Sequence, residues 1–188
     1  MRALIYLPII HGAGDLGSLG EPQSPEQAQR QQAAGQFWDL LEAALEAFAL
    51  DYNTVKVYQD GLPVCGKEAE IVADTARGGS RNFRLLESLK ARGATVMGTE
   101  SAELLLEEYA LMCRARAPEP GRAPPTEAEA KALLARRDEY IARRIADTLE
   151  EEEMGLLFLG MLHEIADKLP EDIKLIQPFG KPKMAGVA

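Results

Sequence analysis

Apolar residues in this chain gather into short dense runs, separated by longer stretches where they recur every three or four positions. The first run, Arg2 to His11 (RALIYLPIIH), is almost wholly apolar and stops at Gly12. It predicts a strand buried on both faces, as in parallel sheets. The glycine-rich GAGDLGSLGEPQ that follows predicts a loop. Ser24-Pro25-Glu26-Gln27 then offers an N-cap, a first-turn proline and a capping-box glutamine. The helix it opens runs to about Leu50, on a stripe of Phe37, Leu40, Leu41, Ala44, Leu45 and Phe48.

The alternating, β-branched Thr54 to Gln59 predicts a second strand, ended by Asp60-Gly61-Leu62-Pro63. A helix from Lys67 to Ala76 breaks at Gly78-Gly79, and Ser80 caps another that Gly93 stops. Ala94 to Gly98 reads as a third strand and Ser101 to Arg114 as a helix. The proline-rich Ala117 to Pro125 is a linker. Thr126 to Glu129 is a second capping box, opening a helix to about Glu150, and Glu150 to Glu153 reads as a solvated turn. Gly155 to Leu162 (GLLFLGML) predicts a central strand, Glu164 to Leu169 a short helix and Lys174 to Gln177 a last strand. Five strands separated by helices imply a three-layer α/β sandwich on a mostly parallel sheet with right-handed crossovers. One domain over residues 1–180 and a frayed tail over 181–188 are expected.

Composition narrows the partners. Of 188 residues, 46% are hydrophobic and 27% charged, and the formal charge is −9, with 30 acidic against 21 basic side chains. No basic stripe with interleaved aromatics is present, so neither nucleic acid nor an anionic membrane surface is an expected partner. The two cysteines, Cys65 and Cys113, have no metal-type spacing and read as reduced thiols. The opening apolar run is too short to span a bilayer, and a cytoplasmic location is expected.

In an open parallel sheet, ligands sit outside the carboxyl ends of the strands. The polar residues expected there are His11 after the first strand, Asp60 after the second, Glu100 after the third and His163 after the fourth. The chain has only two histidines, and each closes an apolar strand. Two imidazoles and two carboxylates on one edge suit general acid–base roles. They also suit a divalent transition metal such as zinc or manganese, with His11, His163 and Glu100 as ligands. Asp15 and Glu164 are further oxygen donors. Arg137 shares the helical stripe of Leu134, Ile141 and Ile145, with Arg144 beside it. An arginine facing inward needs an anionic partner, here Glu100, Asp15 or a substrate anion.

Gly12-Ala13-Gly14-Asp15-Leu16-Gly17 matches G-x-G-x-x-G, but the dinucleotide fingerprint needs its helix to start within the motif, and here the helix waits until Pro25. Gly12, Gly14 and Asp15 are therefore read as a loop passing over a ligand. No P-loop, GxSxG elbow or HExxH is present, and Cys65 carries no local nucleophile signature.

Arg137-Asp138-Glu139-Tyr140-Ile141-Ala142-Arg143-Arg144-Ile145 and Gly160-Met161-Leu162-His163 resemble the arginine-bearing helix and the G-x-x-H of the TraB/GumN-like group. That group is related more distantly to ChaN-like and erythromycin-esterase-like hydrolases. Pro8-Ile9-Ile10-His11 keeps the group's first histidine but not its glycine, and Asp60 stands where the group has a glutamate. The resemblance implies a hydrolytic, metal-assisted site acting on a small molecule. The other readings are a non-catalytic ligand-binding or regulatory module, and a scaffold in which the helix bearing Phe37 and Trp38 forms a homodimer interface.

Overall fold

The structure, a computed structural model, describes residues 2–9, 25–117 and 123–180, and for 25–31 it describes the backbone alone. The predicted Ser24 cap and the tail 181–188 lie outside the described residues. Within them the order is β1 (Arg2–Ile9), α1 (Pro25–Ala47), β2 (Val55–Gln59), α2 (Glu68–Arg77), α3 (Arg81–Ala91), β3 (Thr95–Met97), α4 (Ala102–Arg116), α5 (Glu127–Thr148), β4 (Met154–Gly160) and β5 (Ile173–Ile176). The strands form one sheet in the order β3-β2-β4-β1-β5, and every pairing is parallel.

The period of two along each strand sorts the apolar residues into two cores. Ile5, Leu7, Ile9, Val57, Leu156 and Phe158 face a layer made by α1, α2 and α3, where Trp38, Leu41, Val72, Leu86 and Leu89 are buried. Leu4, Tyr6, Tyr58, Leu157 and Leu159 face the other way, onto Ile141 and Ile145 of α5 and Leu149 just beyond it. The result is the expected three-layer α/β sandwich. Trp38 is a core residue, and Phe37 packs edge-on against it and beside Phe179. Both aromatics contribute to the core, Phe37 from a half-buried position. No helix among the described residues is long and apolar enough to cross a membrane.

Two predicted elements are shorter than their apolar runs suggested. β4 ends at Gly160, because the next residues fold into a turn closed by the His163 amide donating to the Gly160 carbonyl at 3.2 Å. The helix expected over 164–169 is a single 3₁₀ turn, Ala166–Lys168, with Pro170 close behind to block continuation. Glu153, read as part of a solvated turn, instead pairs with Lys56 at 2.7 Å and accepts from the Glu150 amide.

The seam between β4 and the α5 layer is tight. A Cβ on Gly155 would lie 2.5 Å from Leu4 Cδ1 and 3.3 Å from Leu149 Cδ2, and Leu4 is fully buried. Gly155→Ala is therefore expected to destabilise by about 1–3 kcal/mol through overpacking. The readout is a lower urea midpoint with an unchanged slope. An unchanged midpoint would mean that the seam has slack.

Candidate functional site

At the carboxyl edge of β2, Gln59 to Leu62 makes a reverse turn in which the Leu62 amide donates to the Gln59 carbonyl. Gly61 adopts φ +75°, a region open to glycine at no steric cost. The turn holds Asp60 at the edge and aims the Gly61 amide at Glu100 Oε1, 2.8 Å away. Glu100 is fixed from the other side by backbone pairing that continues past the strands. Its amide donates to the Leu62 carbonyl, and its carbonyl accepts from the Val64 amide. Beyond β4 the Gly160–His163 turn folds the imidazole back over the edge, and the Gly160 amide donates to Asp60 Oδ2 at 2.9 Å. The G-x-x-H spacing is thus the spacing of a reverse turn.

Helix α5 closes the arrangement. Its inner stripe is Leu133, Arg137, Ile141, Ala142 and Ile145, with Leu133 rather than Leu134 as the buried leucine of the first turns. Arg137 is 4% exposed, and its guanidinium reaches three carboxylates. Nε donates to Glu100 Oε2 at 2.7 Å, and Nη2 donates to Glu100 Oε1 at 2.6 Å and Asp60 Oδ1 at 2.9 Å. Nη1 donates to Glu108 of α4. One residue on, Asp138 accepts from His163 Nδ1 at 2.6 Å and from the Glu164 amide at 2.9 Å. His163 Nε2 faces Asp60 Oδ2 at 3.5 Å, longer than an ordinary hydrogen bond. Tyr6 of β1 places its phenol beside Asp60 and Asp138 and donates weakly to the Leu159 carbonyl at 3.4 Å.

The electrostatics follow from this packing. Burial works against a charge on His163, but the hydrogen bond to Asp138 and the nearby Asp60 carboxylate outweigh it and push the imidazole up to about 9. Burial likewise opposes charge on Arg137, and Glu100, Asp60 and Glu108 reverse that and hold the guanidinium charged. Burial raises Glu100 above the usual carboxylate range. Arg137 pulls it back, and the neighbouring Asp60 raises it further. Tyr6 is pushed up to about 12 by burial, with the Asp60 and Asp138 charges adding to the effect.

Of the sequence-predicted residues, Asp60, Glu100, Arg137 and His163 meet in one buried network. Arg144 does not join it, and its Nε donates to the Gly98 carbonyl at 3.1 Å, past the end of β3. Glu164 contributes its amide, while the residue itself is exposed. His11, Gly12, Gly14 and Asp15 lie outside the described residues. The sequence reading missed Asp138 and Glu108. Asp138 was within reach, because it stands three and seven residues before Ile141 and Ile145 and so shares their face. Glu108 carried no such signal, since its partner lies on another helix.

Of the residues expected to hold zinc or manganese, Glu100 already accepts at both oxygens from Arg137 and the Gly61 amide, whereas His163 is held at Nδ1 by Asp138 and presents Nε2. No group of three His, Cys, Asp or Glu side chains among the described residues is placed to hold an ion. Two clefts lie beside the helices, the first away from the network and the second touching it through Glu108. One of about 530 Å³ runs between α1 and α3, and one of about 330 Å³ lies between α4 and α5, where Glu108 forms part of the wall. Compared with protein-family models, curated proteins and solved structures, the chain matches none of them.

Proposed function

We propose that this protein is a hydrolase-like enzyme acting on a small molecule at the carboxyl edge of its sheet, with His163 as the group that moves the proton. The observation that carries this reading is the imidazole gripped by Asp138 at 2.6 Å while its other nitrogen faces Asp60 across a loose 3.5 Å. Asp138 fixes the ring's orientation and leaves the Nε2 proton as the transferable one. With the imidazole pushed up to about 9, His163 acts at neutral pH as a general acid. It gives the Nε2 proton to the departing oxygen or nitrogen, and the proton shed by the attacking water restores it. Asp60, held by Arg137 and the Gly160 amide, orients that water. Arg137 donates all round to protein carboxylates and is a positioning residue. No step runs through a metal. The likeness of residues 137–163 to TraB/GumN-like proteins supports hydrolysis, although in that group the site is metal-assisted, and the two cysteines, both free, suit a cytoplasmic setting.

The test is turnover of a panel of chromogenic esters, amides and phosphoesters by the wild type and by His163→Gln. Loss of a general acid lowers kcat by about 100-fold or more, with circular dichroism unchanged. Equal turnover by the two proteins would sink the proposal. One observation favours a second reading, a non-catalytic ligand-binding module: His163 is only 4% exposed and the charged groups satisfy one another. That reading predicts thermal stabilisation by anionic metabolites with no turnover of any probe.

A further inference from the structure

Helix α4 is apolar on two sides. Its inner side follows Leu104 and Leu111 towards α5, and Glu108 on the same side reaches Arg137. At 100° per residue, Ala102, Leu106, Tyr109, Ala110 and Cys113 fall together on the opposite side. Leu106 is 68% exposed and Tyr109 51%, so this side presents two large apolar groups to solvent. The charges are segregated along the helix, with Glu103 and Glu107 in its first half and Arg114 and Arg116 in its last turn. Glu107 and Arg114 are paired within the chain, to Arg136 and Glu129. Glu103 and Arg116 are exposed and have no ion-pair partner among the described residues.

We infer that the outer face of α4 is the interface of a homodimer, in which α4 packs antiparallel on α4 of a second copy about a two-fold axis near Tyr109 and Ala110. That symmetry sets Leu106 of one copy level with Cys113 of the other, and Tyr109 level with Ala110, so large side chains meet small ones. It also lays the acidic half of each helix along the basic half of the other and opposes the two helix dipoles. A parallel arrangement would instead set acid against acid and base against base. A single helix pair lies at the low end of specific interface areas, so the dimer is reversible and forms at on the order of 10 μM and above.

Sedimentation equilibrium of the full chain, from about 1 to 300 μM, tests this independently of any catalytic activity. The expected result is a mass that rises with concentration from that of one chain towards two. Leu106→Glu and, separately, Ala110→Glu should hold the mass at one chain throughout, with melting temperature and circular dichroism unchanged because both positions are exposed. A wild type that stays at one chain mass to the top of the range overturns the inference. So does a dimer that persists in both variants, since it must then use another surface.

Discussion

Arg137→Met is expected to lower the melting temperature by about 10 °C or more, the largest single effect the structure points to. The guanidinium stands between Asp60, Glu100 and Glu108, and the first two carboxylates are nearly excluded from water. Removing one member of a buried ion cluster typically costs about 3–5 kcal/mol, because the charges left behind keep their desolvation penalty and lose their compensation. In a protein of this size, each kcal/mol moves the midpoint by about 2–4 °C. Methionine keeps an unbranched apolar stem on the buried stripe of α5, so the loss reports charge rather than volume. Adding Glu100→Gln to Arg137→Met should recover part of the stability, since it removes the buried charge most dependent on the arginine. A single variant melting within about 2 °C of the wild type would contradict the geometry. So would a double variant less stable than the single one.

The second large effect is on pH dependence. An imidazole held at about 9 in the folded state, against 6.5 when unfolded, binds its proton more tightly after folding. Its contribution is therefore fully present below pH 6.5 and is lost as pH rises through 9. The size is about 3 kcal/mol as an order of magnitude. Glu100, raised by burial, acts in the same direction from the ordinary carboxylate range upward, because the folded state again holds the proton longer. Urea denaturation from pH 6 to 10 should thus show stability falling with pH, most steeply between 7 and 9. His163→Gln should flatten that limb. Stability that is constant or rising over the interval would show that the imidazole lacks its two carboxylate partners.

How far the site could be read beforehand depends on which forces fix each residue. Asp60 was legible because a polar residue closing a buried strand must emerge at the sheet's edge, whereas Glu100 and His163 stand three residues past β3 and β4 and return to that edge through backbone pairing and a turn. Arg137 was legible from helical spacing alone: a charge on an apolar stripe needs a partner, and Glu100 was among those proposed. The same spacing places Asp138 on the buried stripe of α5, but nothing local in the sequence marks His163 as its partner. Glu108 was illegible, because the packing of α4 on α5 is tertiary and leaves no local pattern. The apolar run over 155–162 hid a turn for a related reason. Hydrophobicity records burial, and Met161 and Leu162 prolong the run although the Gly160–His163 hydrogen bond bends the backbone away from the sheet. Leu162, at 64% exposed, contributes little to the core. The expected metal rested on residue types alone, and among its expected ligands Glu100 already accepts from Arg137 and the Gly61 amide.

Proton NMR reads the protonation state of His163 directly. The chain has two histidines, so His11→Gln leaves a single imidazole whose Cε1–H can be followed from pH 5 to 11. The expected result is a titration midpoint raised to about 9 and lowered markedly by Asp138→Asn. A midpoint near the ordinary 6.5 in the otherwise native chain would contradict both the buried network and the general-acid role drawn from it.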